Sequence, residues 1–377
     1  MSYLGEDIKK LGFGLMRLPK TKDAEDKEII DIEQTKVMVD KFLEAGFTYF
    51  DTAWIYDGSE LAMKEALIDR HPRESFTVAT KMAAWYECKT KEDAIKQFET
   101  SLNRSGAGYF DFYLLHNLGE HRTQVFDDLD IWNWALEKKE EGLIKHLGFS
   151  FHAGPEELDE ILTKHPEAEF VQLQINYADW EDSAIQSRAI YEVARKHNKP
   201  IVVMEPVKGG NLANPPETVS QVFLDAEPDS SFASWAIRFA ADLPGVLTVL
   251  SGMSSIEQME DNLSFMKDFN GFTDEQREVI EKAREEMAKI PVIPCTKCDY
   301  CAKVCPMEIG ISGSFTALNL YKLYNNIDTA RGREKFLVEN KGRKKAAECI
   351  ECGACEEVCP QHISIREELK NVTSILG

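Results

Sequence analysis

Along the first 285 or so positions, short runs of apolar, β-branched and aromatic residues alternate with longer segments whose apolar residues return every three or four places. Eight of the runs read as strands: LGFGLMRL (11–18), FTYFDT (47–52), FTVATK (76–81), FDFYLLH (110–116), HLGFSF (146–151), FVQLQIN (170–176), IVVMEP (201–206) and LTVLSG (247–252). Between them, Val39, Phe42 and Leu43 share a helical face that stops at Gly46, and Thr90 with Asp93 sets a capping box ahead of Ile95, Phe98 and Leu102. Near-continuously apolar strands separated by helices predict an α/β chain whose eight βα units close into a (β/α)8 TIM barrel. An open dinucleotide-binding sheet has little support, because Gly12-Phe13-Gly14 lacks the third glycine of that fingerprint.

The next segment, 273–290, reads as one charged helix, which Pro291 and Pro294 end. A domain boundary there divides the chain into a barrel, 1–289, and a small second domain, 290–377. Eight of the nine cysteines fall in that second domain. Cys295, Cys298, Cys301 and Cys305, followed by Pro306, repeat the spacing of Cys349, Cys352, Cys355 and Cys359, followed by Pro360. Three thiolates on a tight turn wrap three corners of a cubane, and in two-cluster ferredoxins the fourth cysteine of each run serves the other cluster. The pattern therefore predicts a small α+β ferredoxin-like domain with two [4Fe-4S] clusters. One would be held by Cys295, Cys298, Cys301 and Cys359, the other by Cys349, Cys352, Cys355 and Cys305. Paired structural zinc sites, the alternative, use separated two-cysteine knuckles instead. Segment 306–348, between the motifs, is aromatic and helical at first and basic at KGRKK (341–345). The remaining Cys88 reads as a small apolar residue.

Composition narrows the function classes. A formal charge of −21 repels phosphate backbones and anionic membrane surfaces, which argues against nucleic-acid and membrane partners. The opening MSYLGEDIKK lacks the order of a signal peptide, and clustered free cysteines suit a reducing compartment, so a cytoplasmic location is expected.

Barrel enzymes place their chemistry at the C-terminal ends of strands. Asp51, Lys81 and His116 close three successive strands, and Tyr56 lies on the loop after Asp51. Singly they read as a helix cap, an ion pair, a core hydrogen bond and rim packing. Together they suit carbonyl reduction, in which a proton must reach a developing alkoxide. Tyr56 would donate it, with its pKa lowered by a neighbouring Lys81 cation. Asp51 would orient Lys81, and a neutral His116 would hydrogen-bond the carbonyl oxygen.

FDTAWIYDGSE (50–60), VATK (78–81) and YLLHN (113–117) resemble the Asp, Tyr, Lys and His motifs of the aldo/keto reductases, a resemblance that runs from about residue 10 to 265. With its cysteine motifs, the chain is similar to aldo/keto reductases fused to a C-terminal two-[4Fe-4S] domain. The resemblance implies nicotinamide-dependent reduction of a small-molecule carbonyl by the tetrad Asp51, Tyr56, Lys81 and His116. It further implies nucleotide contacts at Ser150, Gln174, Ser251, Gly252, Met253, Gln258 and Asn262. Phe151 replaces the family's frequent carboxamide-binding Asn, and Glu205 stands where many members stack an aromatic residue. Gly252 and Gln258 replace the Lys and Arg that clasp a 2′-phosphate, so no strong preference for NADPH over NADH is expected. Gly209-Gly210 reads as a turn or, alternatively, as backbone open to a phosphate.

Three functions remain open at this level. One is an NAD(P)H-dependent carbonyl reductase. Another is a reductase fed through the clusters by a ferredoxin or flavodoxin, with a flavin as a further candidate cofactor. The last is a non-catalytic electron-transfer subunit with KGRKK as its contact for an acidic partner.

Overall fold

The computed structural model describes residues 4–5, 7–183 and 185–377; residues 1–3 and 6 of the N-terminal segment read for a leader lie outside them. The chain packs as two units, one running to Gly209 and resuming over Ala233–Thr273, the other made of Gly210–Phe232 and Asp274–Gly377.

In the first unit β1 (Leu11–Gly14), β4 (Tyr49–Asp51), β5 (Thr77–Met82), β6 (Phe110–Leu118), β7 (Ile144–Phe151), β8 (Phe170–Gln174), β9 (Ile201–Met204) and β10 (Val246–Ser251) form a closed barrel. Every pairing in it is parallel. β2 (Lys20–Lys22) and β3 (Glu28–Ile30) make a separate antiparallel pair. Each of the eight apolar runs overlaps one barrel strand, with β5, β6, β7 and β10 extending one or two residues beyond theirs. Closure falls on β1, where Phe13 is in register with Ser251 on one side and Phe50 on the other.

Side-chain alternation then sorts the residues. Tyr49, Ala79, Phe112, Leu114, Phe170, Val202, Leu247 and Leu250 meet in one buried cluster inside the barrel. The intervening Phe50 points outward to Phe42, with ring centroids 5.2 Å apart, on the helix Ile32–Glu44. The same period brings Asp51, two residues after Tyr49, back inside at the mouth. It does the same for Lys81 after Ala79 and for His116 after Leu114. The capping box forms as expected, with Thr90 Oγ1 accepting from Asp93 N at 3.2 Å and Asp93 Oδ2 from Thr90 N at 3.1 Å.

The second unit is mainly helical. Helices Ile311–Tyr324, Ile327–Glu339 and Ile365–Leu376 contribute Phe315, Leu318, Ala330, Leu369 and Val372 to a core that also takes in Cys301 and Cys355. Outside the named strands, the described residues add a single parallel bridge, Ile309 to Lys344. The charged helix forms over Asp274–Ala288 and packs on Glu217–Ala226, a helix from the stretch between β9 and β10.

One glycine controls how the barrel interior fills. A Cβ on Gly148 would stand 2.5 Å from the Phe170 carbonyl oxygen and 2.6 Å from its ring, so the bare backbone of β7 lets Phe170 turn inward. Gly148→Ala is therefore expected to lower stability by roughly 1–3 kcal/mol, the range for an overpacked core, measured as the shift of the denaturant midpoint.

Candidate active site and cysteine cavities

The strand ends deliver the four expected side chains to one place. Lys81 Nζ donates to Asp51 Oδ1 at 2.5 Å and to the Thr52 carbonyl oxygen at 2.7 Å. Tyr56 arrives from the loop after β4, with its ring centroid 5.1 Å from Lys81 Nζ. His116 meets the Tyr56 ring edge-on at 5.8 Å. Trp85 walls the site, donating from Nε1 to the His116 carbonyl oxygen at 2.7 Å with its ring 6.3 Å from the imidazole. Among the described residues, Asp51 Oδ2 and His116 Nδ1 are buried with no hydrogen-bond partner.

Burial dominates the acid–base properties. It raises the Asp51 carboxyl against the opposing pull of Lys81. For Lys81, desolvation acts downward, but Asp51 and Tyr56 outweigh it and hold the ammonium charged. Burial places His116 well below the ordinary histidine range, and Lys81 adds to the effect, so the ring is neutral. Tyr56 departs from the expectation. Desolvation raises its pKa more than Lys81 lowers it, because a phenolate there would lose its hydration shell to apolar walls.

Most of the nucleotide positions implied by the family resemblance are hydrogen-bonded within the protein. Ser150 Oγ accepts from Asn117 N at 2.7 Å, and Gln174 Nε2 donates to Asp179 Oδ2 at 2.9 Å. Asp179 also accepts from Asn176 Nδ2 at 2.7 Å and pairs with Lys208. At the end of β10, Asn262 Nδ2 donates to Ser251 Oγ at 2.8 Å and Met253 is buried, whereas Gly252 is exposed. Gln258 Oε1 accepts from Ser254 N at 2.7 Å.

Sequence reasoning missed several neighbours. Trp85 carried no signal, since nothing in the chain ties it to His116. Asp179 could have been found from its spacing of three after Asn176, a local turn pattern. His152 follows the end of β7, and the strand-end rule that picked out Asp51 would have flagged it. Solvent reaches His152, yet enough protein surrounds it to push its pKa down to about 4, with Arg122 and Lys81 contributing.

The eight clustered cysteines line two cavities. Cys295, Cys298, Cys301 and Cys359 border one, with Phe315 and Ile363; Cys305, Cys349, Cys352 and Cys355 border the other, with Ile311 and Leu369. Among the described residues no three His, Cys, Asp or Glu converge as ligands of a single ion. Four thiols around each apolar cavity are a donor set that fits a cubane.

The fold and the mouth define an oxidoreductase of the (β/α)8 class. Within that class the chain belongs to the aldo/keto reductase family, whose model matches residues 10–285; a 4Fe-4S dicluster domain matches 294–363. It is similar to the "Uncharacterized oxidoreductase YqkF" of Bacillus subtilis, 24% identical over 289 residues, 68% of this chain and 87% of that one. An "Aldo-keto reductase" of Mycolicibacterium vanbaalenii is 31% identical over 225 residues, 59% of this chain and 74% of its own. Among solved structures, aldo-keto reductase AKR11C1 from Bacillus halodurans (holo form) superposes with a TM-score of 0.59 at 24% identity, covering 75% of this chain and 95% of that one. An aldo/keto reductase from Klebsiella pneumoniae in complex with NADP and acetate gives 0.56 at 19%, covering 73% and 91%. These structural likenesses establish the fold. No helix among the described residues is long and apolar enough to cross a membrane.

The two lowered histidines set an acid-side expectation. Between the ordinary histidine value of 6.5 and about 4, the unfolded chain binds protons that folded His116 and His152 refuse. Stability therefore falls as pH is lowered through that window. Thermal midpoints measured across it should fall less steeply for His116→Gln than for the parent chain.

Proposed function

We propose that the barrel mouth reduces an aldehyde or ketone with NADH or NADPH, Tyr56 donating the proton. The observation that carries this reading is the Lys81 ammonium, fixed by Asp51 at 2.5 Å and facing the Tyr56 ring at 5.1 Å. A bound nicotinamide supplies hydride to the carbonyl carbon. As the C–H bond forms, the C=O π pair moves onto oxygen, and Tyr56 passes its hydroxyl proton there. Its raised pKa keeps that proton in place until the charge develops. Lys81 stabilises the phenolate left behind, and solvent returns the proton. Neutral His116 has a ring N–H with which to orient the same oxygen. Ser150, Gln174, Ser251, Gly252, Met253, Gln258 and Asn262 would hold the nucleotide, with Gly252 its exposed point of approach.

In the second domain, 290–377 in this reading, Cys295, Cys298, Cys301 and Cys359 would hold one [4Fe-4S] cluster and Cys349, Cys352, Cys355 and Cys305 the other. The thiols lining the two cavities support that crossed assignment. Such clusters supply single-electron transfer, for which a cytoplasmic ferredoxin or flavodoxin is a fitting partner.

Tyr56→Phe should reduce carbonyl turnover by about 100-fold or more while leaving cluster absorbance unchanged; unaltered turnover would remove the proposed proton donor. Anaerobically purified protein should contain about eight iron atoms per chain. Cys359→Ser should leave an intact cluster at Cys349, Cys352 and Cys355, read by iron content and electron paramagnetic resonance. Loss of that cluster instead of its neighbour would reverse the assignment.

A further inference from the structure

The segment between the two cysteine motifs presents a cationic surface that neither the barrel mouth nor the cysteines use. Helix Ile327–Glu339 and the loop after it expose Arg333, Lys341, Arg343 and Lys344, and none of these makes an ion pair among the described residues. Phe336 is 49% exposed on the same helix, and Lys341 Nζ stands 5.8 Å from its ring centroid. The loop is fixed against the wall of a cysteine cavity. Lys344 N donates to the Glu308 carbonyl oxygen at 3.2 Å and Gly310 N to the Lys344 carbonyl oxygen at 3.4 Å, forming the parallel bridge between Lys344 and Ile309. Ile309 borders the cavity of Cys305, Cys349, Cys352 and Cys355. Ile350 borders it as well and is 60% exposed, and Cys352 is exposed there too.

Resting on the reading that the cysteines hold [4Fe-4S] clusters, we infer that this surface docks a small acidic one-electron carrier protein, which exchanges its electron with the cluster of Cys305, Cys349, Cys352 and Cys355. The carrier would lose one electron as that cluster gains one, with no bond made or broken. Charge carries the inference. In a chain of net charge −21, unpaired cations gathered at one cavity stand against the prevailing sign. The end of helix Ile327–Glu339 accounts for part of them. Arg343 N donates to the Leu337 carbonyl oxygen at 3.0 Å, but a helix C-terminus carries only about half an elementary charge. Nearby carboxylates do not cancel the rest. Lys345 offsets Glu348, whose Oε1 accepts from its backbone N at 3.1 Å, Glu339 lies 3.8 Å from Lys335, and Glu351 pairs with Lys370 at 2.8 Å. That leaves the exposed Glu308 against Arg333, Lys341, Arg343 and Lys344. Ile350, at the cavity itself, and Phe336 supply apolar contact once charge has steered the encounter. A nucleic-acid strand or an anionic bilayer would extend past the patch and meet the chain's excess negative charge, whereas a compact acidic protein need touch only the patch. Asp299 borders the other cavity, whose motif offers only Lys297 and Lys303 as exposed cations.

The test uses the full chain with its clusters and an acidic flavodoxin as the probe, with affinity measured by calorimetry at several salt concentrations. The parent protein should bind flavodoxin with an affinity that falls as salt is added, because salt screens exposed charges. Lys341→Glu combined with Lys344→Glu should weaken binding about tenfold or more, the scale of several reversed surface charges. The same variant should slow the oxidation of reduced flavodoxin, followed by its flavin absorbance. Unchanged iron content and circular dichroism would show that the variant is folded. Lys297→Glu combined with Lys303→Glu is the control at the other cavity and should leave flavodoxin affinity little changed. A greater loss in that control would move docking to the other cavity and overturn the inference. Unchanged affinity in the Lys341 and Lys344 variant would overturn it too, as would equally tight binding of a short DNA duplex by the parent. An iron-loaded parent that fails to bind flavodoxin would overturn this inference alone, whereas a parent without iron at its cysteines would remove the cluster reading beneath it.

Discussion

The ion pair between Lys81 and Asp51 is the constraint around which the barrel mouth is organised. Its two side chains are 1% and 5% exposed. Withdrawing such charges from water costs several kcal/mol each, recovered only when geometry and further hydrogen bonds are good. The chain meets that condition with a 2.5 Å contact and with the Thr52 carbonyl as a second acceptor. The neighbours then take their states from this ammonium and from the dry walls around it. His116 remains neutral because both burial and Lys81 oppose a second positive charge. Asp51 is raised by burial even with Lys81 beside it, which makes the pair a coupled unit.

How the pair comes together was legible in the sequence, because it depends on local periodicity. Alternation sends Tyr49 inward, Phe50 outward and Asp51 inward again, and the same rule applies along β5 and β6. The eight apolar runs, the Thr90 cap and the cysteine spacing were readable for a similar reason: each lies within a few residues of chain. Contacts made by barrel closure were hidden. Arg17 reaches Gly252 only because β1 pairs with β10. Asp179 holding Gln174 was within reach of a turn rule but hidden in function, since the glutamine was read against its family role alone.

Tyr56 shows why a neighbour's sign does not settle a pKa. A nearby cation favours phenolate, and this was the basis for expecting a lowered value. The site that buries Lys81 also buries the phenol, and desolvation acts on the phenolate with no compensating hydration. A phenol that keeps its proton is suited to give it up when an alkoxide forms beside it. In the proposed reaction the Lys81 field would act on the phenolate left by proton transfer more than on the resting phenol. That is the differential stabilisation which accelerates a chemical step.

The chain also joins two electron counts. Hydride carries two electrons in one step, whereas a [4Fe-4S] cluster passes one. In the proposed reaction Asp51, Lys81, Tyr56 and His116 would move or position protons, and none is a group that holds a single electron between steps. The reduction proposed at the mouth would therefore need only a hydride donor and these four residues. The hydrophobic core of the second unit, with Phe315, Leu318, Leu369 and Val372, takes in Cys301 and Cys355 and packs against Cys295, Cys305, Cys349 and Cys359. The cysteines are thus part of that core, so clusters held by them would brace the second unit as well as supply single-electron chemistry.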